Sequence, residues 1–161
     1  MRRGQDGIDD AKRAWTEQRS SGREQVTVSI DTSSLARGAD ETLAVIRAQA
    51  AAMNLKVDVG ITGTWGMNWL EPTVTVRSAA GTRTVLYGNV TADRVPEFLQ
   101  ATVVEGRDLP ELAIGVVEGN ATADVPLLSE HQFMRGQVRR LMANMGTIDP
   151  ESIEEYLAHE G

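Results

Sequence analysis

The sequence contains no cysteine, and this absence removes several kinds of chemistry at once. A chain without thiols forms no disulfide, thiolate nucleophile, zinc–thiolate site or cysteine-ligated iron–sulfur cluster of its own. Histidine is scarce as well: only His131 and His159 occur, and their spacing fits no metal-binding or nucleophile motif. We therefore predict no catalytic residue, no metal site and no cofactor-binding residue in this chain.

An excess of basic residues is also missing. The chain has 16 Lys and Arg against 23 Asp and Glu, which gives a formal net charge of -7 and a pI near 4.8. Binding to nucleic-acid phosphates usually relies on excess Lys and Arg, so nucleic acid is not an expected partner. No run of eighteen apolar residues occurs, and the start of the chain has no apolar signal segment. The sequence thus predicts a cytoplasmic protein without membrane insertion.

The 161 residues, 41% of them hydrophobic, suffice for one globular domain. Residues 1–24 are polar, with Ile8, Ala11 and Trp15 at helical spacing as their apolar stripe. We predict a flexible extension there with one short helix, which is either solvated or docked on a partner through Trp15. The domain should span residues 25–117, followed by a loop and helical linker over residues 118–161.

The pattern within the predicted domain indicates a mixed sheet flanked by helices. Apolar residues alternate with polar ones at 26–30 and 57–61, which predicts two strands. The alanine-rich segment after Gly38 has the spacing of a helix, so these strands should be parallel neighbours. Two β-branched runs within residues 73–87 predict an antiparallel hairpin. A helix at 93–104 and a short strand at 113–117 should follow.

Two further helices are expected near the C-terminus. Ser129 and Gln132 form a capping-box pattern ahead of an apolar stripe that ends at Gly146. Asp149-Pro150 has the residues of an N-cap and a first helical position, so a second helix should start there. The polar side of the first helix is either a solvated face or a contact for an acidic partner. Its cations are Arg135, Arg139 and Arg140.

The segment GITGTWGMNWLEP at residues 60–72 combines three glycines with two tryptophans. Its glycine spacing is similar to that of dinucleotide-binding turns. A pyrophosphate site, however, needs a glycine turn that opens directly into a helix, whose N-terminal amides hold the phosphates. This segment leads to Pro72 and then to a strand, so nucleotide binding is not predicted here.

Three segments resemble the N-terminal region of the NADH-binding flavoprotein (diaphorase) subunit family. They are TGTWGMNWLEP at 62–72, YGNV at 87–90 and NMGTIDPESIEEYL at 144–157. The family includes diaphorase subunits of respiratory complex I, bidirectional hydrogenases and NAD-dependent formate dehydrogenases. The cysteine-less loop is most similar to the beta subunit of soluble, molybdenum- or tungsten-dependent formate dehydrogenase. The resemblance implies an α/β fold of the thioredoxin-like, ferredoxin type.

The same resemblance places cluster-ligating cysteines of the family at four positions of this chain. These positions hold Ser29, Ser34, Thr64 and Asn68. Neutral hydroxyls and an amide do not replace thiolates as cluster ligands. The resemblance therefore implies a cluster-free domain, with FMN, NAD and iron–sulfur clusters in the rest of the subunit or complex.

A domain of this kind would have a structural role and would not be catalytic alone. The resemblance implies docking beside flavin/NAD-binding and molybdenum- or tungsten-containing dehydrogenase subunits, in support of electron transfer from formate to NAD. The candidate docking residues are Trp65, Met67, Trp69, Glu71, Arg135, Arg139 and Arg140. For the loop tryptophans, the other interpretation is that at least one of them is buried in the interior. The alternative is a stand-alone small-ligand-binding or regulatory α/β domain.

Overall fold

A five-stranded sheet forms the centre of the fold in a computed structural model that describes residues 2–159, with side chains from residue 7 onward. The strands are β1 (Glu24–Ser29), β2 (Val57–Thr62), β3 (Val74–Arg77), β4 (Thr84–Tyr87) and β5 (Ala113–Glu118). Their order across the sheet is β2-β1-β3-β4-β5. Strands β1 and β2 are parallel, and the other neighbours are antiparallel. The predicted strands, including the hairpin, are therefore confirmed.

Five α-helices accompany the sheet in the described part of the chain. They are α1 (Arg2–Arg19), α2 (Thr32–Leu35), α3 (Ala39–Ala52), α4 (Val95–Leu99) and α5 (Ile153–Ala158). Helix α3 makes the crossover that parallel pairing of β1 and β2 requires. It begins after Gly38, whose φ of 84° suits glycine. Helix α4 lies between a 3-10 turn at 92–94 and a π turn at 100–104, so the helix predicted at 93–104 is one helical segment.

The main core lies between one face of the sheet and helices α3 and α4. Side chains on a strand alternate between its two faces, and Val26 and Val28 of β1 point to the same side as Val74 and Val76 of β3. These valines pack in one buried cluster with residues of both helices, among them Phe98. Burial of each such side chain contributes about 1.5–3 kcal/mol, so this layer holds the two helices on the sheet.

The opposite face of the sheet is divided into an apolar and a polar half. Its apolar half carries a second buried cluster, the tryptophan cluster: Trp65, Met67, Leu86, Ile114 and Leu128. Its polar half contains the cross-strand pairs Thr27–Thr75 and Gln25–Arg77. Because these side chains share one face, the sheet presents hydroxyl and guanidinium groups to whatever covers it.

Helix α1 covers this polar half. The N-terminal segment was expected to hold one short helix, but 18 residues are helical there. Arg19 donates to both carboxylate oxygens of Glu118, at 3.0 and 2.8 Å. Trp15 meets the His159 ring edge-on with centroids 4.8 Å apart, which joins α1 to the end of α5. The division into extension, domain and linker stays a prediction.

The prediction of the first of the two C-terminal helices is wrong. Residues 131–149 form turns, after a 3-10 turn at Leu128–Glu130. Gly136 has a φ of 82°, which interrupts a right-handed helix in the middle of the predicted stripe. Phe133 and Met134 pack on the tryptophan cluster, whereas Val138 and Leu141 are exposed, so the stripe does not share one buried face.

The second predicted helix exists as α5, but it starts later than expected. Ser152, and not Asp149, is its N-cap and accepts a hydrogen bond from the Glu155 N–H at 3.2 Å. The expected mixed sheet flanked by helices is confirmed. Within residues 2–159, no helix combines the length and apolar character needed to cross a bilayer.

Candidate functional site

The loop that joins β2 to β3 contains most of the glycine- and tryptophan-containing segment at residues 60–72. Gly66 has a φ of 84°, and its N–H donates to the Thr64 hydroxyl at 3.0 Å. A 3-10 turn at Asn68–Leu70 follows, and the loop then reaches β3 through a cis Glu71–Pro72 peptide bond. At its start, Thr62 donates to the Ile148 carbonyl at 3.0 Å. The loop is therefore fixed both internally and to the C-terminal segment.

Glu71 lies at the centre of the loop, with a residue exposure of only 1%. Its Oε1 accepts hydrogen bonds from the hydroxyls of Thr64 at 3.1 Å and Ser29 at 3.3 Å. Its Oε2 accepts from the Thr73 N–H at 2.7 Å. Arg37 donates to the Glu71 carbonyl at 2.9 Å. One buried carboxyl group thus joins the end of β1, both ends of the loop and the start of β3.

The buried position changes the acidity of Glu71. Burial raises the pKa of its carboxyl group, and the nearby Asp31 charge acts in the same direction. Hydrogen bonds from Thr73 and Thr64 stabilise the ionised form and oppose that rise, but burial is the larger effect. The carboxyl group therefore retains its proton to higher pH than an exposed glutamate does.

Two of the four positions matched to cluster cysteines come together at Glu71, and two do not. Ser29 and Thr64 share its Oε1 atom. Ser34 is buried but forms the capping box of α2 with Asp31. Asn68 is exposed on the 3-10 turn.

These residues do not fit an iron–sulfur cluster. All four lack a thiolate, and the hydroxyls of Ser29 and Thr64 already bond to a carboxylate. Among the described residues, no group of three or more His, Cys, Asp and Glu side chains is arranged to hold a metal ion. The site is a hydrogen-bonded network in the positions that the resemblance relates to a cluster.

Trp65 and Met67, two candidate docking residues, are buried in the tryptophan cluster. The Arg139 guanidinium lies over the Trp65 ring, 4.8 Å from its centroid. The Gly146 backbone packs against the same indole. Arg139 also donates to the Met145 carbonyl at 2.8 Å, so it serves the internal packing of the C-terminal segment. The side chains of Trp65, Met67 and Arg139, like that of Glu71, therefore contribute to the interior or its margin and not to an open surface.

Trp69 is the exposed member of the loop, with 54% of its surface accessible. Its ring meets the Phe133 ring edge-on, with centroids 5.0 Å apart. Arg135 and Arg140 are exposed on the segment that also carries Phe133. The expected arginine face of a helix is therefore replaced by two exposed cations on turns, while Arg139 points inward. A docking role for Trp69, Arg135 and Arg140 stays a prediction.

Sequence reasoning missed the central role of Glu71, which it treated only as a docking contact. A signal was available in part. Glu71 lies directly before Pro72 and a strand rich in β-branched residues. An ionised side chain that is buried at such a strand end needs several hydrogen-bond donors. Nothing in the sequence identified Ser29, 42 positions earlier, as one of these donors.

Comparison with solved structures finds thioredoxin-like ferredoxins. The wild-type thioredoxin-like [2Fe-2S] ferredoxin from Aquifex aeolicus aligns with a TM-score of 0.50 and 18% identity, over 58% of this chain and 97% of the ferredoxin. Another structure of a thioredoxin-like [2Fe-2S] ferredoxin from the same organism gives a TM-score of 0.52 and 17% identity, over 62% and 97% of the two chains. The thioredoxin-like fold is thereby confirmed. No family model and no curated protein matches the sequence.

Proposed function

We propose that this chain is a cluster-free structural and docking domain of an NAD-dependent formate dehydrogenase or a related diaphorase complex. In this role it positions the flavin/NAD-binding part of the complex beside the molybdenum- or tungsten-containing dehydrogenase subunit, in the cytoplasm. It supports electron transfer from formate to NAD without carrying electrons itself. FMN, NAD and iron–sulfur clusters belong to the rest of the subunit or complex.

The observation that carries this proposal is the Glu71 network on a thioredoxin-like fold. Ser29 and Thr64, at two positions matched to cysteine ligands, bond to one buried carboxyl group. A network of this kind holds the loop in shape without a metal, because each hydroxyl has an acceptor and the carboxyl group has donors. A domain that keeps the loop but lacks ligands is suited to contact and not to electron storage.

The exposed residues beside the loop supply a contact surface, which we call the Trp69 surface: Trp69, Arg135 and Arg140. Tryptophan and arginine are the side chains most enriched at energetic centres of protein interfaces. The two arginines stand out on a chain whose net charge is -7, so they favour an acidic region of a partner. The proposed partner surface therefore combines an apolar pocket for Trp69 with nearby carboxylates.

Affinity purification from the native host, followed by mass spectrometry, tests this proposal. We expect a flavin/NAD-binding polypeptide and a molybdopterin-type dehydrogenase subunit to co-purify with the tagged chain. Trp69→Ala should reduce their recovery by about tenfold or more, as expected for loss of an interface hot spot. Val104→Ala is the control, since Val104 is exposed to a similar degree at the end of the α4 segment.

Recovery of neither subunit with the wild-type chain would refute membership of such a complex. Equal recovery with Trp69→Ala and Val104→Ala would remove the Trp69 surface from the proposal while leaving the complex intact. Circular dichroism of both variants should match the wild type, because neither side chain is buried.

A further inference from the structure

A cavity of about 300 Å³ lies between α1 and the polar half of the sheet. Its floor is formed by Gly60 of β2, Thr27 of β1 and Thr75 of β3, which lie side by side. The space above Gly60 is open, since a Cβ there would meet only the Thr27 Cγ2 atom, at 3.6 Å. Trp15 of α1 also lines the cavity. The volume is at the lower end of the range for small-molecule sites, about 300–1,000 Å³.

The floor of this cavity contains a polar group without a partner. Thr75 is 7% exposed, and its hydroxyl forms no hydrogen bond within the protein. Arg77, which lies on the same face of β3, has a buried Nε–H that is also without a partner. Buried hydroxyl and N–H groups are almost always satisfied in native proteins, because an unmade hydrogen bond costs about 1–3 kcal/mol. Two such groups beside one cavity indicate a polar occupant.

Guanidinium groups converge on one part of the cavity wall. Arg19 and Arg77 both form ion pairs with the single carboxylate of Glu118. The two guanidinium charges repel each other, and Glu155 also acts on Arg19. Arg77, whose buried Nε–H has no partner, is therefore the less fully paired cation. A second carboxylate, supplied by a ligand, would complete the pairing.

Carboxylates lie together elsewhere on the same wall. Glu155 accepts a hydrogen bond from the Asp149 N–H at 2.7 Å, and both residues line the cavity. Burial raises the pKa of Glu155, and the neighbouring Asp149 charge adds to that rise, whereas the hydrogen bond from the Asp149 N–H and the charges of His159 and Arg19 oppose it. A cation placed between these two acids would relieve their repulsion. Asp58 also lines the cavity but already pairs with Arg23 at 2.7 Å.

We propose that this cavity binds a small zwitterion of the free amino-acid class. Its carboxylate pairs with Arg19 and Arg77, its ammonium group lies at Asp149 and Glu155, and the Thr75 hydroxyl bonds to it from the floor. A simple anion would leave Asp149 and Glu155 opposed to each other. A simple cation would leave the Arg77 Nε–H without a partner and the two guanidinium groups in mutual repulsion. A molecule with both charges close together satisfies both parts of the wall. This inference is independent of the proposed docking role.

Thermal unfolding of the purified full chain tests this inference, with each standard L-amino acid as a probe at about 10 mM, or at saturation where it is less soluble. We expect at least one of them to raise Tm by about 3–5 °C at a concentration near ten times its Kd. Acetate and ethylamine, which carry one charge each, should leave Tm unchanged, as should glucose. A panel in which no amino acid raises Tm, or in which acetate, ethylamine or glucose does so equally, would overturn the proposal.

Gly60→Val is the decisive variant, because its side chain would occupy the cavity while valine suits an extended strand. It should abolish the amino-acid-induced shift. Gly7→Ala is the matched control: Gly7 lies on the exposed side of α1, where a Cβ meets nothing within 4 Å, and the shift should persist. A shift retained in folded Gly60→Val would refute binding in this cavity.

Thr75→Val decides the question if Gly60→Val does not fold. The substitution keeps the shape of the side chain and removes a hydroxyl that the protein itself does not use. The free protein should therefore keep its Tm, while the ligand-induced shift falls by at least half. An undiminished shift would contradict the role assigned to the Thr75 hydroxyl and to this cavity.

Discussion

The Thr64 hydroxyl donates to the buried Glu71 carboxylate at 3.1 Å, so one hydrogen bond closes the β2–β3 loop on itself. Ser29 donates to the same oxygen from the end of β1 at 3.3 Å. The Glu71 side chain therefore attaches the loop to β1, beside the backbone hydrogen bond from the Ser29 N–H to the Thr73 carbonyl at 3.0 Å. This position makes Glu71 the residue whose replacement tells most about the site.

Glu71→Ala should destabilise the chain by about 2–3 kcal/mol. The substitution leaves the Thr73 N–H and two hydroxyls without their acceptor in a buried place, and each unsatisfied group costs about 1–3 kcal/mol unless water reaches it. Urea unfolding followed by circular dichroism measures the effect. Glu111→Ala is the control, since Glu111 is exposed and its loss should change stability by less than about 0.5 kcal/mol. Equal effects of the two substitutions would show that the network contributes little.

Glu71→Gln should reveal the ionisation of Glu71 through the pH dependence of stability. Burial raises the pKa of this carboxyl group above the value of about 4.3 for an unfolded chain. Between those two pKa values the folded state binds more protons, so the carboxyl group's contribution to stability falls as pH rises through that window. The glutamine variant lacks this titration. The wild type should therefore lose stability relative to Glu71→Gln as pH rises above about 4.3 and through the raised folded value.

Urea unfolding of both proteins across that pH range gives this difference directly, because most other titrations are common to both. Parallel stability curves would mean that the folded pKa of Glu71 is ordinary. A wild type that gains on the variant as pH rises would mean that the hydrogen bonds from Thr73 and Thr64 outweigh burial.

The positions of β1, β2 and β3 were predictable because each of these strands has one apolar and one polar face. Val26 and Val28 alternate with Thr27, and such a period of two persists whatever covers the polar side. The same pattern shows that Thr27 and Thr75 point away from the core. It does not show that Gly60 lies beside them, since this depends on the register between β1 and β2.

The C-terminal segment was predicted wrongly because local spacing and tertiary contact disagree there. Phe133 and Met134 match a helical stripe, but their partners are Trp69 and the tryptophan cluster, which are distant in sequence. Gly136 supplies the left-handed backbone that lets the chain turn. A stripe that contains such a glycine predicts a helix only where nothing else competes for its apolar residues.

Gly146→Ala should destabilise the chain more than Gly136→Ala. The two glycines have nearly the same backbone, with φ of 84° and 82°, so alanine costs about 1–2 kcal/mol of strain at each. At Gly136 a Cβ meets nothing within 4 Å. At Gly146 it would lie 2.6 Å from the Trp65 Nε1 atom, so the indole has to move within the tryptophan cluster.

Urea unfolding of the two variants isolates this packing effect, because the backbone strain is common to both. We expect an additional loss of about 1–3 kcal/mol for Gly146→Ala, as is typical of overpacking. Equal stability of the two variants would mean that Trp65 is not held against the C-terminal segment.

Asp108→Asn should destabilise the chain at neutral pH and much less in acid. Asp108 accepts from Arg83 at 2.9 and 2.8 Å and from the Tyr87 hydroxyl at 2.8 Å. Burial alone would raise its pKa, but these hydrogen bonds and the Arg83 charge outweigh burial, so the pKa of Asp108 is lowered. The resulting stabilisation is present above the unfolded value of about 3.9 and is lost as pH falls through the lowered folded value.

The loss at neutral pH should be about 1.5–3 kcal/mol, the usual range for hydrogen bonds to a charged group. Urea unfolding at about pH 7 and at about pH 3 measures both ends of the effect. Asp124→Asn provides the comparison, because Asp124 is exposed and its replacement should change stability by less than about 0.5 kcal/mol at either pH. A loss for Asp108→Asn that stays constant down to acid pH would show that the shape of the carboxylate, and not its charge, joins β4 to the segment before β5.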